Sequence, residues 1–437
     1  MKGAVTPRGT RRLLSGNEAI ALGAWEAGVR YAAAYPGTPS TEILPALAQY
    51  AAVRAEWASN EKVALDAAIG ASFAGARALA AMKHVGVNVA SDSLMSLSYT
   101  GVGAGLVLVS ADDPGAFSSQ NEQDNRHYAR FGKFPCLEPS DSQEAKDFAA
   151  FAFDLSERFD SPVMLRSTTR LSHSKSPVKV TMPPESRVWE PLPPFKRHAA
   201  KYVMIPAHAR RRHPEVEKRM EALAAYAETC SLNRVEWGDK GVGVVTAGMA
   251  YHYAREVLDG FSFLKLGLVH PLPEQMIRDF AAEVEVLIVI EELDPFIEEQ
   301  VRAMGVGGIR KGCFPAGRGA DPCESAGWRD HSGLANWEGG TGRGGGNGRP
   351  GHPWPSTGPV PRLPTPISVL WSAQAETPRR GRHRLLRHWR TAALPGDGHA
   401  DLDGCQCWAG ARGHAGRLPR SDRGYHRRLD VLPHGAT

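Results

Sequence analysis

Cysteine is scarce in this 437-residue chain: six are present, Cys136, Cys230, Cys313, Cys323, Cys405 and Cys407. Thiols so few and scattered supply neither a disulfide framework nor a complete metal or cluster site. Cys405-x-Cys407 in particular lacks the further ligands that a tetrahedral site of about four donors needs. Long apolar runs are absent too. Nothing approaches the roughly 18 residues of a membrane-spanning helix, and the basic start (Arg8, Arg11, Arg12) leads into Leu13-Leu14-Ser15-Gly16-Asn17 without the apolar core of a secretory signal. The expectation is a soluble, cytoplasmic protein with no membrane association.

The overall composition, 42% hydrophobic and 23% charged with a net charge of +5, conceals a seam. Residues 1–315 carry 35 Lys and Arg against 37 Asp and Glu, whereas residues 316–437 carry 17 Arg, no Lys and 10 acidic residues. The tail also holds 22 Gly and 12 Pro but a single Ile, a single Tyr and no Phe or Met. It lacks the branched and aromatic side chains from which an ordinary core is packed.

Upstream of the seam, helical and short apolar segments alternate, the pattern of an α/β fold with a mainly parallel sheet and helices on both faces. Asn17 is read as capping a helix that runs to Glu26, and Val29 to Tyr35 as a strand ending at Pro36-Gly37-Thr38-Pro39. Thr38 and Pro39 then suit the cap and first position of a helix from Ser40 to Tyr50. Asn60 opens a helix rich in Ala, Gly and Ser, whose small side chains invite a neighbouring helix. Strands follow at Gly105–Ala111 and Pro162–Arg166, flanking a polar loop (Ser118 to Asp124) and a helix from Asp141 to Phe159. A second α/β unit is expected from strands Val242–Ala247, Leu264–Val269 and Val286–Ile290, with helices Tyr251–Leu258, Pro273–Ala282 and one after Asp294-Pro295. The expected domains are 1–173 (a pyrimidine-side α/β domain once the resemblance below is applied), a Pro- and Ser-rich linker over 174–200, a small α/β domain over 201–315, and the tail over 316–437, expected to be disordered.

One by one, the candidate functional residues have ordinary explanations. Glu61 falls in the first turn of a helix, where the dipole favours a carboxylate, and Thr38 suits a cap. Gly101-x-Gly103-x-Gly105 precedes a strand instead of following one, so it fails as a dinucleotide fingerprint and reads as a turn. In combination they say more. Tyr35-Pro36-Gly37-Thr38-Pro39-Ser40-Thr41-Glu42, followed by Asn60-Glu61-Lys62-Val63-Ala64 with Gly70 and Gly75 downstream, resembles the thiamine-diphosphate-binding 2-oxoacid:ferredoxin oxidoreductases. Met82-Lys83-His84-Val85-Gly86-Val87-Asn88-Val89-Ala90-Ser91-Asp92, Ala111-Asp112-Asp113-Pro114-Gly115, Leu137-Glu138-Pro139-Ser140-Asp141 and Glu291-Glu292-Leu293-Asp294-Pro295-Phe296 narrow the resemblance to the indolepyruvate-type alpha subunits. It covers about residues 13 to 315.

The resemblance implies a thiamine-diphosphate-type fold in which Glu61 hydrogen-bonds the cofactor's aminopyrimidine and helps remove its reactive proton. Thr38 would place a hydroxyl beside substrate and cofactor, making Glu61 and Thr38 the catalytic pair. Tyr35, Pro36, Gly37, Asn88 and Asp92 would join them around the cofactor, with Asp112 and Asp113 on the substrate side. Pyruvate-cleaving members carry an arginine about where Asp112 stands, which points this chain toward aryl 2-oxoacids. The implied reaction is oxidative decarboxylation of indolepyruvate to an acyl-CoA, with a beta subunit, coenzyme A and ferredoxin as partners. The family also implies Mg²⁺ and two 4Fe-4S clusters, whose ligands are not legible here, so no metal-binding residue is assigned. A rival reading is a non-catalytic assembly subunit that bears only part of the cofactor site.

The tail departs from that family where its metal-binding domain would begin. Shifted by one base, codons compatible with Val360–Pro366 give CPGCPP, those of Leu402–Arg412 give a WMGASVGLAR-like run, and those of His426–Gly435 give TGDSTFFHTG. All three resemble family motifs, occur in family order and share one frame, so a frameshift is expected between about Arg310 and Arg318. Interleaved Trp and Arg could bind single-stranded nucleic acid by charge and stacking, but the tail lacks repeats and regular RGG spacing, and nucleic acid is not an expected partner.

Overall fold

The structure is a computed structural model that describes residues 11–50, 53–180, 191–192, 194–306 and 309–311. In chain order the first elements are β1 (Arg11–Ser15), α1 (Gly16–Glu26), β2 (Tyr31–Ala34), α2 (Ile43–Leu47), β3 (Arg54–Trp57), α3 (Glu61–Phe73), β4 (Ala78–Lys83), α4 (His84–Thr100) and β5 (Leu106–Asp112). Next come α5 (Arg126–Gly132), β6 (Cys136–Leu137), α6 (Ser142–Phe159), β7 (Val163–Thr168), α7 (Thr169–His173) and β8 (Lys175–Lys179). The chain continues through α8 (Ala199–Tyr202), α9 (Pro206–Ala227), β9 (Arg234–Glu236), β10 (Asp239–Ala247), α10 (Gly248–Val257), β11 (Phe261–Leu266) and β12 (Leu268–His270). It closes with α11 (Glu274–Ala282), β13 (Val286–Ile290), α12 (Phe296–Ala303) and β14 (Ile309–Lys311).

Two sheets organise these elements. A seven-stranded sheet has the order β12-β6-β7-β5-β4-β2-β3 and is parallel except for β12, which pairs antiparallel with β6. β4, β5 and β7 are buried along their whole length. Burial along a whole strand is what a sheet covered on both faces produces. One face packs Ile20, Leu22, Leu44 and Phe153 from α1, α2 and α6; the other packs Leu65, Ala68, Val87 and Leu94 from α3 and α4. A five-stranded sheet, β14-β13-β10-β11-β9, is parallel except for β9.

The chain steps from β2 outward to β3 and then returns past β2 to β4. That reversal opens a crevice at the carboxyl ends of β2 and β4, the place where open α/β sheets bind ligands. The turn after β2 and the start of α4 face each other there.

Several local expectations need correction. Asn17 is not the cap of α1: Ser15 is, in a reciprocal capping box with Glu18. The Asn17 amide instead donates to the Pro39 carbonyl at 2.7 Å and to Glu42 at 2.9 Å, so α1 pins the turn after β2. Thr38 and Pro39 do not start a helix either. They are joined by a cis peptide bond inside a turn, and the only helix there is the short α2, which begins at Ile43. The expected strand Leu264–Val269 is two strands, β11 in one sheet and β12 in the other. Gly267 separates them. A Cβ there would lie 2.6 Å from the Leu232 carbonyl oxygen and 2.7 Å from the Phe148 ring, and its own carbonyl accepts from the Glu138 amide. Inside the expected linker, β8 pairs antiparallel with β1; the tail and its frame-shifted motifs lie outside the described residues.

Candidate cofactor and substrate site

Asn60 caps α3, its side chain accepting from the Val63 amide at 2.9 Å, so Glu61 occupies the first helical position beside unsatisfied N–H groups. The Glu61 side chain extends across to the first turn of α4. A Cβ built on Gly86 would lie 2.6 Å from Glu61 Cγ and 2.7 Å from Oε1, so only glycine leaves that carboxylate its place. Among the described residues, the half-buried Glu61 carboxylate has no hydrogen-bond partner.

The opposite rim is the turn after β2. Its backbone is closed by Ser40, whose hydroxyl donates to the Gly37 carbonyl at 2.9 Å, and by the Gly37 amide donating to Thr41 Oγ1 at 3.0 Å. Tyr35, Pro36 and Thr38 are exposed on this rim, and Gly37 lies against the side chain of Lys83, the last residue of β4. Tyr35, Pro36, Gly37 and Thr38 thus lie on one rim of the crevice and Glu61 on the other.

Other expected site residues are placed differently. Asn88 and Asp92 lie further along the exposed face of α4: the Asn88 amide bonds Gln123 and Tyr128, while Asp92 pairs with Lys62 at 2.7 Å. Lys62 holds the Asp92 carboxyl below its usual range. Asp113 accepts from the Ser118 amide and the Ser119 and Thr169 hydroxyls, which outweigh burial and hold its carboxyl below the usual range. Asp112 does not reach the crevice. It is fully buried, its Oδ2 taking Arg166 Nε at 2.7 Å and the Asn125 amide at 3.1 Å, and burial raises its pKa against the pull of Arg166.

Asp112 thus belongs to an internal charge network that sequence reading had no way to assemble. Arg166 also binds Glu138, while Arg126 binds Asp124, Glu291 at 2.8 Å and the carbonyl of Glu292. Glu291 in turn accepts from the Ile297 and Glu298 amides at the start of α12, so the network ties β5, β6 and β7 to the segment after β13. Glu292 retains some exposed surface but has an enclosed, unbonded Oε2, and burial pushes its carboxyl up to about 7. Nearby, Asp124, His127 and Asp294 bring three potential metal-ligand atoms within 4.8 Å of one another. Asp124 spends both oxygens on Arg126, however, which leaves a poor donor set for a cation. A groove of about 760 Å³ beside Trp237, Lys240 and Phe280 lies on the five-stranded sheet; its lysine is paired with Glu283 and its Glu228 caps α11.

Residues 22–234 match the family model described as pyruvate flavodoxin/ferredoxin oxidoreductase, thiamine diP-binding. "Indolepyruvate oxidoreductase subunit IorA" of Archaeoglobus fulgidus is 48% identical over 313 residues, and the protein of the same name from Methanothermobacter thermautotrophicus is 45% identical over 306. The chain belongs to the 2-oxoacid:ferredoxin oxidoreductase family. Each of these alignments covers 68% of this chain but 49% of the relative, so the chain spans about half the length of the curated relatives it matches. The fold of this oxidoreductase family is seen again in a 2-oxoglutarate:ferredoxin oxidoreductase from Magnetococcus marinus, solved with 2-oxoglutarate, coenzyme A and succinyl-CoA bound. That likeness has a TM-score of 0.60 at 17% identity and covers 74% of this chain and 66% of that one.

Proposed function

We propose that this chain supplies the aminopyrimidine side of the thiamine diphosphate site in an oxidoreductase acting on aryl 2-oxoacids such as indolepyruvate. The observation that carries the reading is Glu61: a half-buried carboxylate at a helix start, seated over Gly86 in the switch-point crevice with no hydrogen-bond partner among the described residues. Such an acceptor fits a ring nitrogen of the aminopyrimidine, and Thr38 on the facing rim fits a hydroxyl beside the substrate. When bound, thiamine diphosphate supplies the carbon nucleophile that a 2-oxoacid needs for loss of CO₂. With the cofactor bound, the Glu61 carboxylate would hold a proton at that ring nitrogen, and the turn Tyr35–Thr38 and the carboxyl ends of β2 and β4 would line the ring.

The whole reaction is the conversion of a 2-oxoacid and coenzyme A to an acyl-CoA and CO₂, with two electrons leaving to ferredoxin. A Mg²⁺ and diphosphate loop and iron–sulfur cysteines would have to come from elsewhere, because the described residues offer no donor set for them. The frame-shifted motifs after residue 316 and a beta subunit are the proposed sources. Accordingly the 437-residue polypeptide alone should not turn over indolepyruvate. Resequencing codons 305 to 325 and expressing the restored frame with its beta subunit should yield indolepyruvate-dependent reduction of ferredoxin; turnover by the unrestored chain would refute the division of labour.

A further inference from the structure

Resting on that reading, we infer that Lys83 is the residue that anchors the carboxylate of the 2-oxoacid. Lys83 ends β4 and immediately precedes α4, at the floor of the crevice, and only 9% of its surface is exposed. Its stem runs beneath the turn after β2: a Cβ on Gly37 would lie 3.0 Å from Lys83 Cβ and 3.8 Å from Cδ. Gly86, on which the Glu61 carboxylate rests, follows three residues later in the first turn of α4. The Thr38 rim, Glu61 and Lys83 therefore converge on one helix start.

What the ammonium lacks is an anion. A buried lysine is ordinarily paired with one, because an uncompensated charge is costly away from water. Among the described residues, Lys83 Nζ has one hydrogen-bond partner, the neutral backbone carbonyl of Ser118, and no carboxylate within ion-pair distance. Asp113 acts on it only from further away, its own oxygens being engaged by Ser118, Ser119 and Thr169. An ammonium has three donors, so two remain for a ligand.

The neighbouring cations are already committed. Arg166 is held by Asp112 and Glu138, Arg126 by Asp124 and Glu291, and Lys62 by Asp92. The first turn of α4 receives no side-chain cap, so its free N–H groups add to the preference for an anion at the same point. A 2-oxoacid placed with its carbonyl toward the Thr38 hydroxyl would present its carboxylate to Lys83, and its aryl group would extend toward the exposed rim.

The test is equilibrium binding to the full 437-residue chain of phenylpyruvate and of phenylacetone, which replaces the carboxylate by a methyl group. The wild type should prefer phenylpyruvate by about tenfold or more. Lys83→Met should abolish that preference while binding phenylacetone normally, and Lys83→Arg should retain part of it; circular dichroism and melting temperature confirm that both variants fold. A preference that survives in Lys83→Met overturns the assignment. Weakened binding of inorganic diphosphate to Lys83→Met, with the phenylpyruvate preference intact, would overturn it in favour of a phosphate site. If the wild type binds neither aryl compound, the Lys83 assignment fails, while the aminopyrimidine reading of Glu61 stands or falls by Glu61→Gln.

Discussion

Glu61 and Asp112 show how differently two acidic side chains can be used near the carboxyl end of one parallel sheet. Glu61 is legible in the sequence through the family motifs around it, since its local cue, the Asn60 cap and a helix start, suits any first-turn carboxylate. What the local cue misses is Gly86, which reserves the space for that carboxylate from a different helix. Asp112 stands beside a motif that points toward the substrate, but its partner Arg166 is 54 residues away, and no spacing rule links them. Removing Asp112 leaves the buried Arg166 guanidinium with Glu138 as its bonded counterion but takes away the acceptor of its Nε, far from water. Asp112→Ala should therefore cost about 3–5 kcal/mol of stability, and the loss in the double variant Asp112→Ala/Arg166→Met should fall short of the sum of the two single losses, since each single change breaks the same bond. Denaturant titration of the wild type, the two single variants and the double variant checks this; additive losses would contradict it.

At the scale of elements, the alternation of apolar strands with helices made most of both sheets readable, down to the boundaries of α6, β7, β13 and α11 within a residue or two. Failures concentrate where tertiary contacts override local preference. Thr38 and Pro39 have the chemistry of a helix start, yet the amide of Asn17 reaches across from α1 and fixes them in a turn. The 22-residue α9 has a sparse apolar stripe in a strongly charged sequence, with Val216, Leu223 and Ala227 buried beside Arg219, so its periodicity is muted. Arg219 shows why it is buried: it donates to the carbonyls of Ser98 and Asp160, at the ends of α4 and α6. Gly267 has no sequence signal as a strand breaker, although it lets one apolar run serve two sheets. Gly267→Ala should cost about 1–3 kcal/mol, since the Leu232 carbonyl cannot yield as a side-chain tip would. Thermal melts would register the loss, and an unchanged melting temperature would show that the junction is loosely packed.

At the scale of the molecule, the described residues account for one side of a site and the junction that steadies it. The internal charge network, extended from Asp112 to Glu291, joins the seven-stranded sheet to the start of α12. Family membership was readable from motifs that hold their order over long separations, several of them in loops at the carboxyl ends of strands, where α/β sheets carry their chemistry. The switch-point crevice itself was not readable, since it arises from strand order, which local patterns do not encode. Compositional change marked the seam near residue 315 without any structure, because a chain lacking Phe, Met and nearly all Ile has little from which to build a core.

The central claim is that Glu61 activates thiamine diphosphate in an oxidoreductase for aryl 2-oxoacids. Its most direct test is the rate of indolepyruvate-dependent ferredoxin reduction by the restored-frame enzyme, assembled with its beta subunit, with Glu61 intact and with Glu61→Gln. Glu61→Gln should retain cofactor binding and lose at least about a hundredfold in kcat, the scale of one proton-transfer group. Equal rates for the two proteins would contradict the account.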